Sequence, residues 1–313
     1  MLILDAHCDT ITTIMKSGEE LRKNNCHIDV ERLKKYSGYV QFFAAFISPE
    51  HAKMGALKRT LSIIDRLYQE IEANKNDLML CCNYNEIIKA IQDKKVAAVL
   101  TIEGGEALEG SLSSLRMLYK LGVRGLTLTW NFRNQIADGV LDGSSGGALT
   151  PFGREVISEM NKLGMLIDVS HLSEPGFWEV INLSTSPIIA SHSNSKKICG
   201  HSRNLSDDQL LALKKNGGVT GLNLYPAFLT DNGKATIRDA ISHIEHIVAL
   251  TGEDTMGLGS DFDGIDSTPD GLGGVQYYSE LLNELLKLNY NETLVKKIAA
   301  GNFLRVIKDV LVY

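Results

Sequence analysis

His7 and Asp9 stand two residues apart in "LILDAHCDT", at the close of an apolar run near the start of the chain. An imidazole and a carboxylate so spaced can form a hydrogen-bonded pair or supply two ligands to one cation. Further along, Glu103 follows "VAAVLTI", His171 follows "MLIDVS", His192 follows "PIIAS", and Asp261 and Asp263 follow "TMGLGS". Imidazole nitrogen and carboxylate oxygen are the donors that borderline divalent ions such as Zn2+ bind at about 2.0–2.2 Å. Singly, each residue has a plainer reading. Glu103 in "TIEGGEAL" suits the N-terminus of a helix, and His171 or His192 alone would be a hydrogen-bonded core or rim histidine. Together they point to a metal centre, because burying so many ionisable groups without a compensating cation is costly.

Delivering such a set to one place needs elements that end together. Eight short apolar runs recur along the chain: "MLILDAH", "VQFFAAFIS", "VAAVLTIEG", "GLTLTW", "MLIDVSH", "PIIASH", "GGVTGLNLY" and "TMGLGSDFDG". Segments with apolar residues at helical spacing lie between them, including "MGALKRTLSIIDRLYQEIEA", "GREVISEMNKLG" and "IRDAISHIEHIVALTG", several closed by glycine. Near-continuous apolar strands alternating with amphipathic helices predict parallel βαβ units, and eight of them predict a (β/α)8 TIM-type barrel. No linker or low-complexity tract interrupts the chain, so one domain over residues 1–313 is expected, with a long excursion after the second strand. The stretch "YSELLNELLKLNYNETLVKKIAAGNFLRVIKDVL" is expected to cover the last strand and pack across the barrel. In such barrels active sites lie at the C-terminal strand ends, where these polar residues fall. Strand alternation would set His7 and Asp9 on one face, with Cys8 turned away.

The net charge of −6 makes nucleic acid and anionic membrane poor partners. Five cysteines without regular spacing argue against a disulfide framework and against a thiolate zinc site, and point to a reducing, cytoplasmic compartment. The N-terminus shows no secretory pattern, and no run approaches the ~18 apolar residues of a membrane span. His243 and His246 fall in a surface-type amphipathic helix and, like His27, His51 and His201, are not assigned to metal; Asp168 and Asp263 are expected to support the site structurally.

The segments "DAHCDT", "TIEGGEAL", "LTLTWN", "LIDVSHLS", "ASHSNSKKICGHSRNLSDD", "GLNLYPAF" and "GLGSDFDG" resemble, in order, those of the membrane (renal-type) dipeptidases, zinc peptidases of the amidohydrolase-like barrel superfamily. The resemblance spans residues 5 to 264. It implies two Zn2+ ions per chain, with His7 and Asp9 on the first, His171 and His192 on the second, and Glu103 bridging both. It also implies Arg203 gripping the terminal carboxylate of a dipeptide, Asp261 moving the proton, and Tyr225 in the substrate pocket. Two zinc ions against Asp9, Glu103 and a bridging hydroxide leave about one net positive charge to hold a developing oxyanion, and paired metals lower the pKa of a shared water toward about 7. Arg203 offers a planar fork suited to a carboxylate. Without the resemblance, Arg203 could equally be a surface arginine paired with Asp207 or Asp208, and Tyr225 only a strand-end aromatic. Relatives tolerate a D-residue at the C-terminal position and are often dimers, so D-residue tolerance and a homodimer are expected.

One residue departs from the pattern. Where the renal-type enzymes carry a histidine after "TLT", this chain has Trp130, which can donate one hydrogen bond but cannot become a cation. Trp130, Asn131 or the metal alone is expected to cover the substrate-binding role of that histidine. Two other readings stand beside the dipeptidase: a dinuclear zinc amidohydrolase acting on another amide, which would have little need of Arg203, and a catalytically weak, metal-stabilised barrel protein.

Overall fold

Val, Ile, Leu, Phe and Ala crowd the eight apolar runs, and in the computed structural model, which describes residues 1–312, each run carries a parallel strand. The strands are β1 (Leu2–Cys8), β2 (Gly38–Phe46), β3 (Leu78–Leu80), β4 (Val96–Glu103), β5 (Val123–Thr127), β6 (Leu166–Asp168), β7 (Ile189–Ala190), β8 (Val219–Leu222) and β9 (Met256–Leu258). All but β3 close into a ring ordered β1, β2, β4, β5, β6, β7, β8, β9, and Asp5 opposite Leu258 joins the last to the first. This is the TIM-type barrel expected from the pattern. The addition is β3, which pairs with Val96–Ala98 at the start of β4, below the point where β5 takes over at Leu100. It lies in the excursion after β2, between the helices Ala56–Ala73 and Tyr84–Gln92. Tyr313, the last residue of the expected domain, lies outside the described residues.

Alternation decides which side chains enter the ring. Leu4, Ala6, Val40, Phe42, Ala97, Val99, Leu166, Ile189 and Val219 form one buried cluster with Phe303, Val306 and Ile307 of the final helix. A Cβ on Gly257 would stand 2.5 Å from the Phe303 ring, so β9 needs glycine where the phenylalanine plugs the lower end. The parity that points Ala97 and Val99 inward carries on through Thr101 to Glu103, at the upper end of β4. The expected C-terminal helical stretch is broken into Tyr278–Lys287, Glu292–Lys296 and Asn302–Val310, the last two joined by the wide turn Lys297–Gly301. Asn289 in the left-handed region, followed by Asn291 capping Leu294 N–H, makes the first break.

Simple alternation does not account for β1. Asp5 pairs with Gln41 and Cys8 with Phe43, so β1 carries one residue more than β2 over this interval, a β-bulge. Cys8 packs with Ile3 in the cluster on the other side of the sheet, as expected, but both Ala6 and His7 are turned into the ring. Asp5 is the support: its Oδ1 accepts the His7 N–H at 3.2 Å and the Ser260 N–H at 2.9 Å.

Candidate active site

The polar strand ends meet at the upper mouth of the barrel. His7, near the end of β1, points its Nε2 at Asp9 Oδ2 (3.4 Å), Glu103 Oε2 (3.6 Å) and Asp261 Oδ1 (3.8 Å). On the other side of the same glutamate, Oε1 lies 2.9 Å from His171 Nε2 and 3.5 Å from His192 Nε2. Ligand atoms of His7, Asp9 and Glu103 lie within 4.8 Å of one another, and so do those of Glu103, His171 and His192. The two sets share Glu103, as the sequence reading expected. A third group, His7, His192 and Asp261, links them.

Proton positions show what the donors can do. His171 Nδ1 lies 2.7 Å from Asn131 Oδ1, an oxygen that only accepts, so the ring proton sits on Nδ1. Asp168 accepts from Ser191 Oγ at 2.5 Å, which uses that hydroxyl's one proton; Ser191 Oγ therefore accepts from His192 Nδ1 at 2.7 Å. Both rings thus direct an unprotonated Nε2 inward, and these two lone pairs face each other at 2.9 Å. Two lone pairs at that separation repel unless a cation lies between or beside them. His7 Nε2 and Asp9 Oδ1 are likewise buried without a hydrogen-bond partner. The donor set fits a borderline divalent metal, with carboxylate and neutral imidazole ligands whose second nitrogens are hydrogen-bonded outward.

Electrostatics point the same way. Burial resists charge on His7, yet Glu103 and Asp9 outweigh it and hold the ring well above its ordinary pKa. Burial also opposes charge on Glu103, but His7 leads the neighbouring imidazoles in holding that carboxyl well below its ordinary value. Burial, with Arg203 adding to it, lowers His171 to about 4; burial, with His7 adding to it, holds His192 well below its ordinary value. Asp9 is pushed up to about 6 by burial, against the pull of His7. The protein's own charges therefore favour positive charge beside His7 and neutral rings at His171 and His192.

Asp261 lies three residues beyond β9, buried, with Oδ2 accepting from Asn223 Nδ2 at 2.9 Å. Burial, with Asp9 and Glu103 adding to it and His7 opposing, pushes its carboxyl up to about 7. Both Asp261 and His171 have φ near +65°, in the left-handed region that costs a non-glycine residue of order 1 kcal/mol or more. A Cβ on Gly264 would stand 2.3 Å from Asp9 Oδ2, so the chain after Asp261 can approach the first donor set only as glycine.

Arg203 is not paired with Asp207 or Asp208; Asp207 binds His246 instead. The guanidinium is buried, 5% exposed, and donates to Ser193 Oγ and to the His192 carbonyl at 3.4 and 3.3 Å. Burial lowers it to about 10, against the pull of Asp261 and Glu103, so it stays charged at neutral pH. Tyr225 and Trp130 both line the cavity of about 410 Å³ above the donors, with Phe46, Asn131, Phe228 and Lys16. The expected metal ligands, Asp261, Tyr225 and Trp130 therefore gather at one mouth, and Arg203 lines an adjoining cavity of about 500 Å³ that shares His171 with it.

The remaining histidines serve the scaffold. His243 is fully buried, accepting from Ser195 N–H and bonded through Nε2 to the Leu229 carbonyl, whereas its helix had read as a surface one. His27 Nδ1 accepts the Asp263 N–H, and Asp263 accepts from Thr10 Oγ1 and the His27 N–H. His51 bonds Ser48, and His201 stacks beside Phe228. Asp168 and Asp263 hold other groups in place, as expected. The supports Asp5, Ser191 and Asn223 were not singled out by the sequence reading; their only signal was proximity to the site motifs.

Comparison with known proteins bears directly on this mouth. A sequence model of the family described as Membrane dipeptidase (Peptidase family M19) matches residues 1–312. An uncharacterized dipeptidase of Schizosaccharomyces pombe is 35% identical over 302 residues, which is 90% of this chain and 72% of the yeast protein. An uncharacterized protein in the pqqA 5′ region of Klebsiella pneumoniae is 38% identical over 253 residues, 78% of this chain and 93% of its own length. Among crystal structures, a metallo peptidase from Rhodobacter sphaeroides liganded with a phosphinate mimic of the dipeptide L-Ala-D-Ala matches with a TM-score of 0.91 and 26% identity, covering 99% of both chains.

Proposed function

The chain belongs to the membrane dipeptidase family, peptidase family M19, and is a metallo-dipeptidase; we propose that it works with two Zn2+ ions per chain on dipeptides, including those with a D-residue at the C-terminal position. The observation that carries the two-ion reading is the pair of donor sets joined by Glu103, one of them with two imidazole lone pairs 2.9 Å apart. His7 and Asp9 would hold the first ion, His171 and His192 the second, and Glu103 both. When bound, such ions lower the pKa of a water toward ~7 and polarise the scissile carbonyl. The D-residue reading draws support from the L-Ala-D-Ala mimic held by the Rhodobacter sphaeroides enzyme.

The chain's own residues supply the rest. Arg203, buried and charged, receives the substrate's terminal carboxylate, which favours a dipeptide over a neutral cyclic amide. Asp261, whose carboxyl is raised toward neutrality and held at Oδ2 by Asn223, takes a proton from the attacking water and delivers it to the leaving amine. Tyr225 and Trp130 wall the cavity and exclude bulk water from the reacting bond. We also propose a single domain over 1–313, a homodimer and a cytoplasmic location; the last draws on five cysteines that are all free thiols.

The test measures zinc per chain together with initial rates on dipeptides free or blocked at either end. Two zinc ions, with hydrolysis that vanishes when the C-terminus is amidated, support the reading. Metal-free material of full activity, or indifference to the C-terminal block, refutes it.

A further inference from the structure

Trp130 does more than line the metal cavity, because its ring also walls a second cavity of about 590 Å³ beside it. That side cavity is lined by Ile47, Ala52 and Phe132 and by the charged side chains of Lys53, Glu106 and Arg133. The indole is fixed edge-on between two phenyl rings, Phe46 at 5.6 Å and Phe132 at 5.9 Å between centroids, and it lies 6.1 Å from the His171 ring. It is therefore a braced partition between two spaces, one of which holds the metal donors.

The order of strands fixes which part of a substrate meets this partition. Arg203 lies in the connection after β7, and going round the ring β7 stands opposite β2, whose last residue is Phe46. Trp130, after β5, stands midway between them round the ring and packs against Phe46, 5.6 Å between ring centroids. Glu103 and His171 lie between the two sides. A dipeptide whose carboxylate sits at Arg203 and whose peptide bond lies over the donors must extend its N-terminal side chain toward Phe46 and Trp130. The nearest wall there is the aromatic pair Phe46 and Trp130, in a cavity that Lys16 also lines.

We propose that Trp130 sets the size of the N-terminal side chain: the enzyme takes dipeptides beginning with small or compact apolar residues, and the side cavity is the space that larger residues would need and do not reach. This rests on the dipeptidase reading with Arg203 as carboxylate clamp. Shape discrimination of this kind is worth roughly ten- to two-hundredfold per excluded group. Substituting the indole joins the two cavities and relaxes the limit.

The experiment compares kcat/KM for L-Phe-L-Ala and L-Trp-L-Ala with that for L-Ala-L-Ala in wild type, Trp130→Ala, Trp130→Phe and the double variant Trp130→Ala/Ala52→Trp. The ratio of large to small substrate should rise by at least about tenfold in Trp130→Ala, carried mainly by KM, and by less in Trp130→Phe, which keeps the aromatic bracing. It should fall back in the double variant, whose new indole fills the side cavity from its far wall. Calorimetric binding of phosphinate dipeptide analogues with an N-terminal benzyl or methyl group should show the same shift without turnover. A folded, zinc-loaded enzyme that hydrolyses dipeptides with an unchanged ratio in both single variants overturns this inference alone. Wild-type enzyme inert on every dipeptide overturns the underlying reading and this inference with it.

Discussion

Asp168 touches no proposed ligand position, yet replacing it with asparagine should weaken metal binding through a change of tautomer two bonds away. Its carboxylate accepts four hydrogen bonds: Thr127 Oγ1 and Ser191 Oγ at 2.5 Å on Oδ2, and the Ser170 and Ser191 N–H groups at 3.0 and 2.9 Å on Oδ1. The two N–H groups fix Oδ1 as the oxygen of an asparagine, which puts the amide nitrogen at the Oδ2 position, a donor facing two hydroxyls. Ser191 must then turn its proton toward His192 Nδ1, and the imidazole proton moves to Nε2, which removes the inward lone pair. Changes behind a metal-bound histidine cost 10- to 100-fold in affinity, or about 1.4–2.7 kcal/mol. Asp168→Asn should lose that much zinc affinity in chelator competition, with the rate restored at high zinc. Nitrogen NMR of the metal-free protein should show His192 changing from the Nδ1–H to the Nε2–H form. Wild-type zinc affinity together with an unchanged tautomer would refute the reasoning.

Arg203→Met should lower kcat/KM on free dipeptides by about 2–4 kcal/mol, thirtyfold to nearly a thousandfold, while amidating the substrate, costly for wild type, should cost the variant little. Asp261→Asn should lower kcat by about 10²–10⁴-fold while zinc content and KM hold; loss of zinc along with rate would make Asp261 a ligand and not the proton carrier. Burial holds His243 down to about 4, so the folded protein keeps that ring neutral while the unfolded chain protonates below ~6.5. Its contribution is intact above that pH and is lost as the pH falls from there toward 4, by up to roughly 3 kcal/mol. Urea titrations across this range should show wild type losing more stability than His243→Gln, and parallel curves would contradict the assignment.

The eight barrel strands were legible because parallel strands are buried on both faces and so read as unbroken apolar runs. Their upper ends were legible for the same reason, since a carboxylate or imidazole ends such a run only where something compensates its burial. What stayed hidden lacks a local signature. No spacing in "LILDAHCDT" marks the bulge that turns His7 inward, since it comes from a register difference with β2 over a distant stretch of chain. Likewise, "IDVSHLS" does not announce that His171 takes a left-handed backbone, because Val140 N–H and Thr129 Oγ1, both from the preceding connection, hold its carbonyl. His243 read as a surface residue because its helix is amphipathic; the backbone around Ser195 and Leu229 closes over it.

Those omissions share a physical cause. Thr127 at the end of β5 bonds Asp168 at the end of β6, and Asp168 bonds Ser191 beyond β7. Asn194 beyond β7 accepts the N–H of Asn223 beyond β8; Asn223 bonds Asp261 beyond β9; and Ser260 beyond β9 bonds Asp5 in β1. Asn131 beyond β5 likewise orients His171 beyond β6. His171, His192 (through Ser191) and Asp261 are thus each aimed by a polar group on the preceding strand end, in a chain running from β5 round to β1. Such a chain exists only once the ring has closed, because its partners lie some 20 to 255 residues apart in sequence. Ligands can be found strand by strand, since each must be a donor at a strand end. Their tautomers and directions cannot, since these are properties of neighbouring strands in register. Closure of the barrel and orientation of the metal donors are accordingly one event, and a substitution in this chain of hydrogen bonds acts on binding before it acts on fold.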